Sequence, residues 1–290
     1  RPSLFSTMSS FSLHQNHIIS SRHPIRQAHR RRLRPATVEP PLKIHRQPAT
    51  IATADDPSLR STWGHRAWVA SGSATVLIAL AKSTAAAAVS HQWLEPTLGG
   101  LAGYLMADLG SGVYHWGIDN YGDASSPVFG GQVEAFQGHH RQPWVIARRE
   151  FANNLHALGQ CVTLIVLPID LVVGNPTVLA FAAACSGCII LSQQFHAWAH
   201  CRRRRLPALV VALQEAGLVV PPAQHAAHHR RPYNSHYCIV SGVWNELLEK
   251  HRVFEGLEMM LFFRLGLRPR SWKEPGSEWT QETHEDGCLL

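Results

Sequence analysis

Four apolar stretches separated by short polar breaks dominate the chain after residue 60. They run over about 66–90, 93–114, 155–174 and 176–195. A helix rises 1.5 Å per residue, so about 20 residues cross a bilayer. Each stretch therefore predicts a spanning helix, and the chain reads as an all-α, multi-pass membrane helix bundle of about four spans. Lys82, Asp108 and Asp170 interrupt the stretches, which keeps a buried soluble bundle open as the competing reading. Residues 206–221 are apolar but too short to span comfortably. They predict an amphipathic helix at the membrane interface or over the site, or else a core helix. No internal repeat or heptad pattern is present.

Charge gives the bundle an orientation. If all four stretches span, the 115–154 connection and everything after His196 share one side. That side holds Arg141, Arg148, Arg149, Arg202 to Arg205, Arg230 and Arg231. The opposite connections, His91 to Pro96 and around Asp170 to Pro176, contain no Lys or Arg. This is the asymmetry that orients membrane proteins.

Composition changes the picture at the N-terminus. Residues 1–50 hold nine Arg or Lys and one acid, Glu39, while the remainder carries 18 basic and 19 acidic residues. The net charge of +7 thus belongs to the N-terminal segment, and nucleic acid is not an expected partner. That segment is rich in Ser, Arg and His and lacks an apolar core of its own, the composition of an organelle transit peptide. Residues 1–60 are expected to be such a transit peptide, mitochondrial or plastid as far as composition goes, with a disordered linker, and 61–290 the membrane domain. The six Cys form no disulfide framework, and Cys185 with Cys188 sits in an apolar run, where packing explains it.

The 19 His carry the chemistry. His115 ends the second stretch, in GVYHWGIDNYG. His139 and His140 stand in FQGHHRQPW. His196 and His200 form HAWAH at the end of the fourth stretch, and His225, His228 and His229 form QHAAHH. Residues three or four apart share a helix face, so His196 with His200, and His225 with either His229 or His228, can bind one metal or flank two. The adjoining His139 and His140 serve two directions. Eight imidazoles exceed one tetrahedral zinc site and suit two ions with positions left for oxygen. The ligands alone do not fix the metal, since imidazole accepts Fe, Zn, Cu and Ni. All the clusters fall on one membrane face. Asp119, Asn154, Asn245, His156 and His236 are expected to orient ligands or complete a shell. Arg202, Arg203, Arg204, Arg205, Arg230 and Arg231 adjoin the clusters and are expected to hold an anionic lipid headgroup, or else to record topology only.

These boxes beside spans resemble those of the membrane fatty acid desaturases and hydroxylases. The strings DLGSGVYHWGIDNYG, EAFQGHHRQPW, REFANNLHAL, SQQFHAWAH, QHAAHHRRPYNSHYCIVSGVWN and LGLRPRSW are more specific. Over about residues 100–280 they resemble the plastid fatty acid desaturase four family, in the same branch as plasmanylethanolamine desaturase. The resemblance implies a di-iron centre of two Fe ions on the eight histidines named above. It also implies ferredoxin as electron donor and phosphatidylglycerol as substrate. The implied reaction makes a 3-trans double bond in palmitate on that lipid, in a chloroplast membrane of the thylakoid or envelope. His156 and His236 match the plant type. An ether-lipid desaturase, or a hydroxylase on the same ligands, is the alternative.

Overall fold

A computed structural model describes residues 56–277. The expected transit segment lies outside the described residues except for its last five positions. Those five pack on the helical unit: Leu59 is buried, and its carbonyl accepts from the Glu150 amide at 2.9 Å.

The described residues form nine α-helices and no strands. Four are long: α1 (Trp63–Ser90), α2 (Leu94–Asn120), α4 (Phe151–Val172) and α5 (Pro176–Ala199). Five are short: α3 (Gly130–His139), α6 (Ala208–Glu215), α7 (Pro222–His228), α8 (Asn245–Lys250) and α9 (Val253–Leu265). Local chemistry sets the boundaries of the long helices. The Thr62 hydroxyl accepts from the His65 amide at 3.1 Å and the His65 ring accepts from the Thr62 amide, which starts α1 with a reciprocal cap. Asn175 accepts from the amides of Thr177 and Val178, and Pro176 takes the first helical position, so α5 begins there.

Three stretches are long and apolar enough to cross a membrane by length and composition: Pro57–Ser90, Phe151–Val172 and Pro176–Ala199. The fourth expected span is α2. Its 27 residues are long enough, but its apolar character is diluted because it turns polar groups inward. Asp108, His115, Asp119 and Asn120 are all buried on it. Of the two polar positions that interrupt the other stretches, Lys82 meets the backbone of Asp170. From α1 it donates to the carbonyls of Asp170 and Val173 at the end of α4. A cation there satisfies carbonyls that the helix itself leaves open.

Helix α5 is the centre of the bundle and packs on α1, α2 and α4. Gly99 of α2 lies against Thr177 of α5, and Gly103 against Phe181, so the two helices run parallel at close approach. A Cβ on Gly103 would lie 2.4 Å from the Phe181 carbonyl oxygen, whereas one on Gly100 meets nothing nearer than 4.0 Å. Gly103→Ala is expected to lower thermal stability by about 1–3 kcal/mol through overpacking. Gly100→Ala should be neutral or stabilising, since alanine is the better helix former. Melting of both variants in detergent micelles checks this, and equal melting temperatures would remove the close-approach argument.

The expected 115–154 connection contains α3, which carries His139. The apolar segment 206–221 yields only the eight-residue α6, with Val210 and Gln214 turned inward and Leu209 exposed, followed by buried Val219 and Val220.

Candidate metal centre

The carboxyl ends of α2 and α5 meet α3 and α7 on one side of the bundle, and the histidines converge there. All eight come together, and Asp119 joins them. The donors divide into two groups, each able to hold a metal ion. Site A comprises His139, His196, His200, His225 and His229. Site B comprises His115, Asp119, His140 and His228.

Adjacent residues serve different sites. His139 belongs to site A and His140 to site B. Similarly His225 and His229 face site A, and His228 faces site B. A helical turn explains the second division, because positions three and four apart point to slightly different sides of α7.

In site A the Nε2 atoms crowd together. His139 lies 2.9 Å from His200, 2.9 Å from His196 and 3.1 Å from His229. His225 lies 2.8 Å from His200 and 3.1 Å from His229. Hydrogen bonds cannot account for this, since one imidazole nitrogen carries at most one proton and His139 alone has three such neighbours. A metal about 2.1 Å from each nitrogen places neighbouring ligands about 3.0 Å apart at right angles. The observed spacing therefore fits one first-row ion. In site B, Asp119 Oδ2 is 3.3 Å from His115 Nε2 and 3.4 Å from both His140 and His228 Nε2, and the last two are 2.9 Å apart. Both oxygens of the buried Asp119 carboxylate, and His115 Nε2, lack a hydrogen-bond partner. A buried carboxylate without a partner is costly, and a cation at site B removes that cost.

The surroundings favour the ligating form of the rings. Burial pushes His139 and His225 well below the usual imidazole range, and neighbouring imidazoles add to it. Burial also pushes His140 down to about 3, against the pull of Asp119. These rings are neutral at neutral pH, and a neutral imidazole is the metal ligand. Two rings are also held in one tautomer. His115 Nδ1 donates to the Tyr237 carbonyl at 3.0 Å, and His228 Nδ1 to the Ser235 carbonyl at 2.8 Å. Each bond leaves Nε2 with its lone pair facing site B.

The 237–245 segment that supplies the Tyr237 carbonyl is itself fixed to α2. Asp108 Oδ1 accepts from the amides of Val240, Ser241 and Gly242 at 3.1, 2.8 and 2.9 Å, and Oδ2 accepts from Trp244 at 3.4 Å. The left-handed backbone at Gly242 (φ 76°) permits this cradle. A Cβ there would strike the Gln224 side chain.

The other expected residues take different places. Asn245 holds the amide and carbonyl of Cys238 and donates to Gln224, next to His225 in sequence, so it joins the 237–245 segment to α7. Asn154 donates to the Ile146 carbonyl at 3.2 Å and ties the loop after His140 to α4. Neither His156 nor His236 belongs to a donor group. His156 stacks on His65 with ring centroids 3.9 Å apart, and the His236 amide donates to Glu249 at 3.0 Å. The six arginines expected to hold a headgroup are all exposed, and Arg203 pairs with Glu215. Sequence reasoning missed the anchoring role of Asp108, because its partners lie over 130 residues away.

A lipid desaturase domain matches residues 104–272, which contain all nine donors. Fatty acid desaturase 4, chloroplastic, of Arabidopsis thaliana is 60% identical over 222 residues, 77% of this chain and 69% of that protein. Fatty acid desaturase 4-like 1, chloroplastic, of the same plant is 55% identical over 233 residues, 80% of this chain and 79% of that protein. The plasmanylethanolamine desaturase of Myxococcus xanthus is 35% identical over 178 residues, 59% of this chain and 62% of that protein. No solved structure matches significantly. The matched domain, which contains the histidine-lined donor groups, and this level of identity place the chain in the lipid desaturase family, with the fatty acid desaturase 4 proteins, as an acyl-lipid desaturase and hence an oxidoreductase.

Proposed function

We propose that this chain introduces a 3-trans double bond into palmitate esterified to phosphatidylglycerol, in a chloroplast membrane, with iron in both sites, O2, and electrons from ferredoxin. The observation that carries the reading is the pair of adjoining buried donor sets, in a chain 60% identical to a chloroplastic desaturase. The eight histidines and Asp119 would hold the two ions. Iron bound there would supply, with O2 and two electrons, the oxidising power to remove hydrogen from an unactivated acyl chain.

The chain's own residues do the rest. Tyr237 and Ser235 carbonyls set the tautomers of His115 and His228, so the ligand geometry is prepared before substrate arrives. Most of the donors are buried, which would keep bulk water from the ions they hold. A double bond next to the carboxyl end requires the ester and headgroup to lie beside the metals. The exposed run Arg202 to Arg205, with Arg230 and Arg231, would attract an anionic lipid to this face. Neutralising Arg203 and Arg204 together without changing lipid preference would remove that role.

Fatty-acid analysis of phosphatidylglycerol, from cells expressing the chain with a plastid-type ferredoxin, tests the proposal beside a His228→Ala control. 3-trans-Hexadecenoate appearing only with the intact chain supports it. Unchanged phosphatidylglycerol with iron bound would overturn the substrate. The 35% identity to a plasmanylethanolamine desaturase makes ether lipids the second reading. Its vinyl ether product is acid-labile, which an acyl alkene is not.

A further inference from the structure

Arg270 begins the short 3₁₀ turn Arg270–Lys273, which packs against the end of α2, the end that carries His115 and Asp119. The turn is pinned at two points. The Ser271 amide donates to Asn120 Oδ1 at 3.1 Å, and Asn120 directly follows Asp119. Trp272 Nε1 donates to the buried Glu258 carboxylate at 2.8 Å, and the same carboxylate accepts from Trp116, next to His115, at 3.1 Å. Pro269 before the turn is buried and Arg270 itself half-buried. The side chain thus leaves a rigid support at the end of α2 that carries two site B donors.

Burial pulls the Arg270 guanidinium below its usual range; the charges of Asp119 and Glu274 oppose this and that of Arg141 adds to it, while the Arg270 charge helps keep His140 neutral. Arg141 follows His140 in the chain and is exposed. Neither arginine has a carboxylate within ion-pair distance among the described residues. Asp119 is the one carboxylate among the nine donors, so two divalent ions bound there leave the centre positively charged. Two guanidinium groups beside a positive centre repel it and each other. An anion between them and the metals reverses that balance, and guanidinium groups bind phosphate oxygens with paired, charge-assisted hydrogen bonds.

We propose that Arg270 and Arg141 together receive the phosphate of the lipid substrate at the site B edge, and so set how far the acyl chain's carboxyl end lies from the metals. This deepens the phospholipid reading above and rests on it. The two arginines act as a positioning pair, distinct from the exposed run Arg202 to Arg205.

The test uses the full chain loaded with zinc, which is redox-inert, in nanodiscs of neutral lipid. Binding of a fluorescent phosphatidylglycerol and of the matching diacylglycerol is measured for the wild type and for Arg270→Gln, Arg141→Gln and Arg264→Gln. Losing a charge-assisted bond is expected to weaken phosphatidylglycerol binding roughly tenfold or more in each of the first two variants. Diacylglycerol binding and metal content should stay unchanged, and Arg264→Gln, an exposed α9 residue, should match the wild type. Unchanged phosphatidylglycerol binding in Arg270→Gln overturns the proposal. So does a loss of metal in that variant, which would make Arg270 a support for Asp119 instead. Effective competition by millimolar inorganic phosphate would assign the pair to a free anion and overturn the lipid assignment. Because binding needs no turnover, the outcome separates from that of the desaturation assay. Lost binding in the variants beside a wild type that makes no 3-trans alkene would refute the reaction and leave the phosphate pair standing.

Discussion

Asp119→Asn is expected to lower the metal that the loaded chain binds from about two ions to about one, and to abolish desaturation. Site B has three imidazoles and this single carboxylate, whereas site A keeps five imidazoles and loses nothing. Asparagine preserves shape and one oxygen but removes the charge that a divalent ion needs. Affinity at site B should fall by more than about a hundredfold, the upper range for an outer-shell partner of a metal ligand. His225→Ala should do the converse, weakening site A first. Metal analysis of both purified variants, with circular dichroism to confirm helix content, checks the assignment. Two metal ions retained in Asp119→Asn would return Asp119 to the orienting role that sequence alone suggested.

Asp108→Ala is expected to destabilise the fold more than Gly103→Ala does. It leaves four amides without their acceptor, the fourth held at only 3.4 Å to begin with, in a buried segment. Each unsatisfied buried donor costs about 1–3 kcal/mol, so the total should exceed about 4 kcal/mol. For a fold of this size that lowers the melting temperature by about 8 °C or more. Asp108→Asn keeps one carbonyl oxygen for the three amides on Oδ1 and should lose clearly less. The damage also has a direction. The released segment carries the Tyr237 carbonyl that orients His115, so site B should lose metal before site A. Equal melting of the Ala and Asn variants would show that Asp108 does not act as an acceptor cradle.

Both predictions rest on residues whose importance is plain only in three dimensions, and the contrast with the histidines shows why. His196 with His200 and His225 with His229 announce themselves because a helix places i and i+4 on one face whatever surrounds it. That regularity is local, so the chain alone determined that imidazoles gather on one side of an all-α bundle. Helix starts were local too: Asn175 and Pro176 cap α5 through atoms two or three residues away. Apolar run length marked α1, α4 and α5 as helices able to span.

Tertiary structure decided what depends on distant partners. The division of the donors between two sites follows from α3 and α7 meeting the ends of α2 and α5. No spacing within any one box encodes it. Asp119 joins a donor group because the His140 and His228 nitrogens close on its carboxylate. Asp108 and Lys82 looked like interruptions of apolar runs, since composition records charge but not the backbone groups brought to meet it. His156 matched its family string yet stacks on His65, away from both donor groups. The chain by itself determined which residue types and helical faces were available. Only packing between segments far apart in the chain decided which polar groups would share one buried volume, because hydrogen bonding and metal ligation act over about 3 Å and are blind to sequence distance.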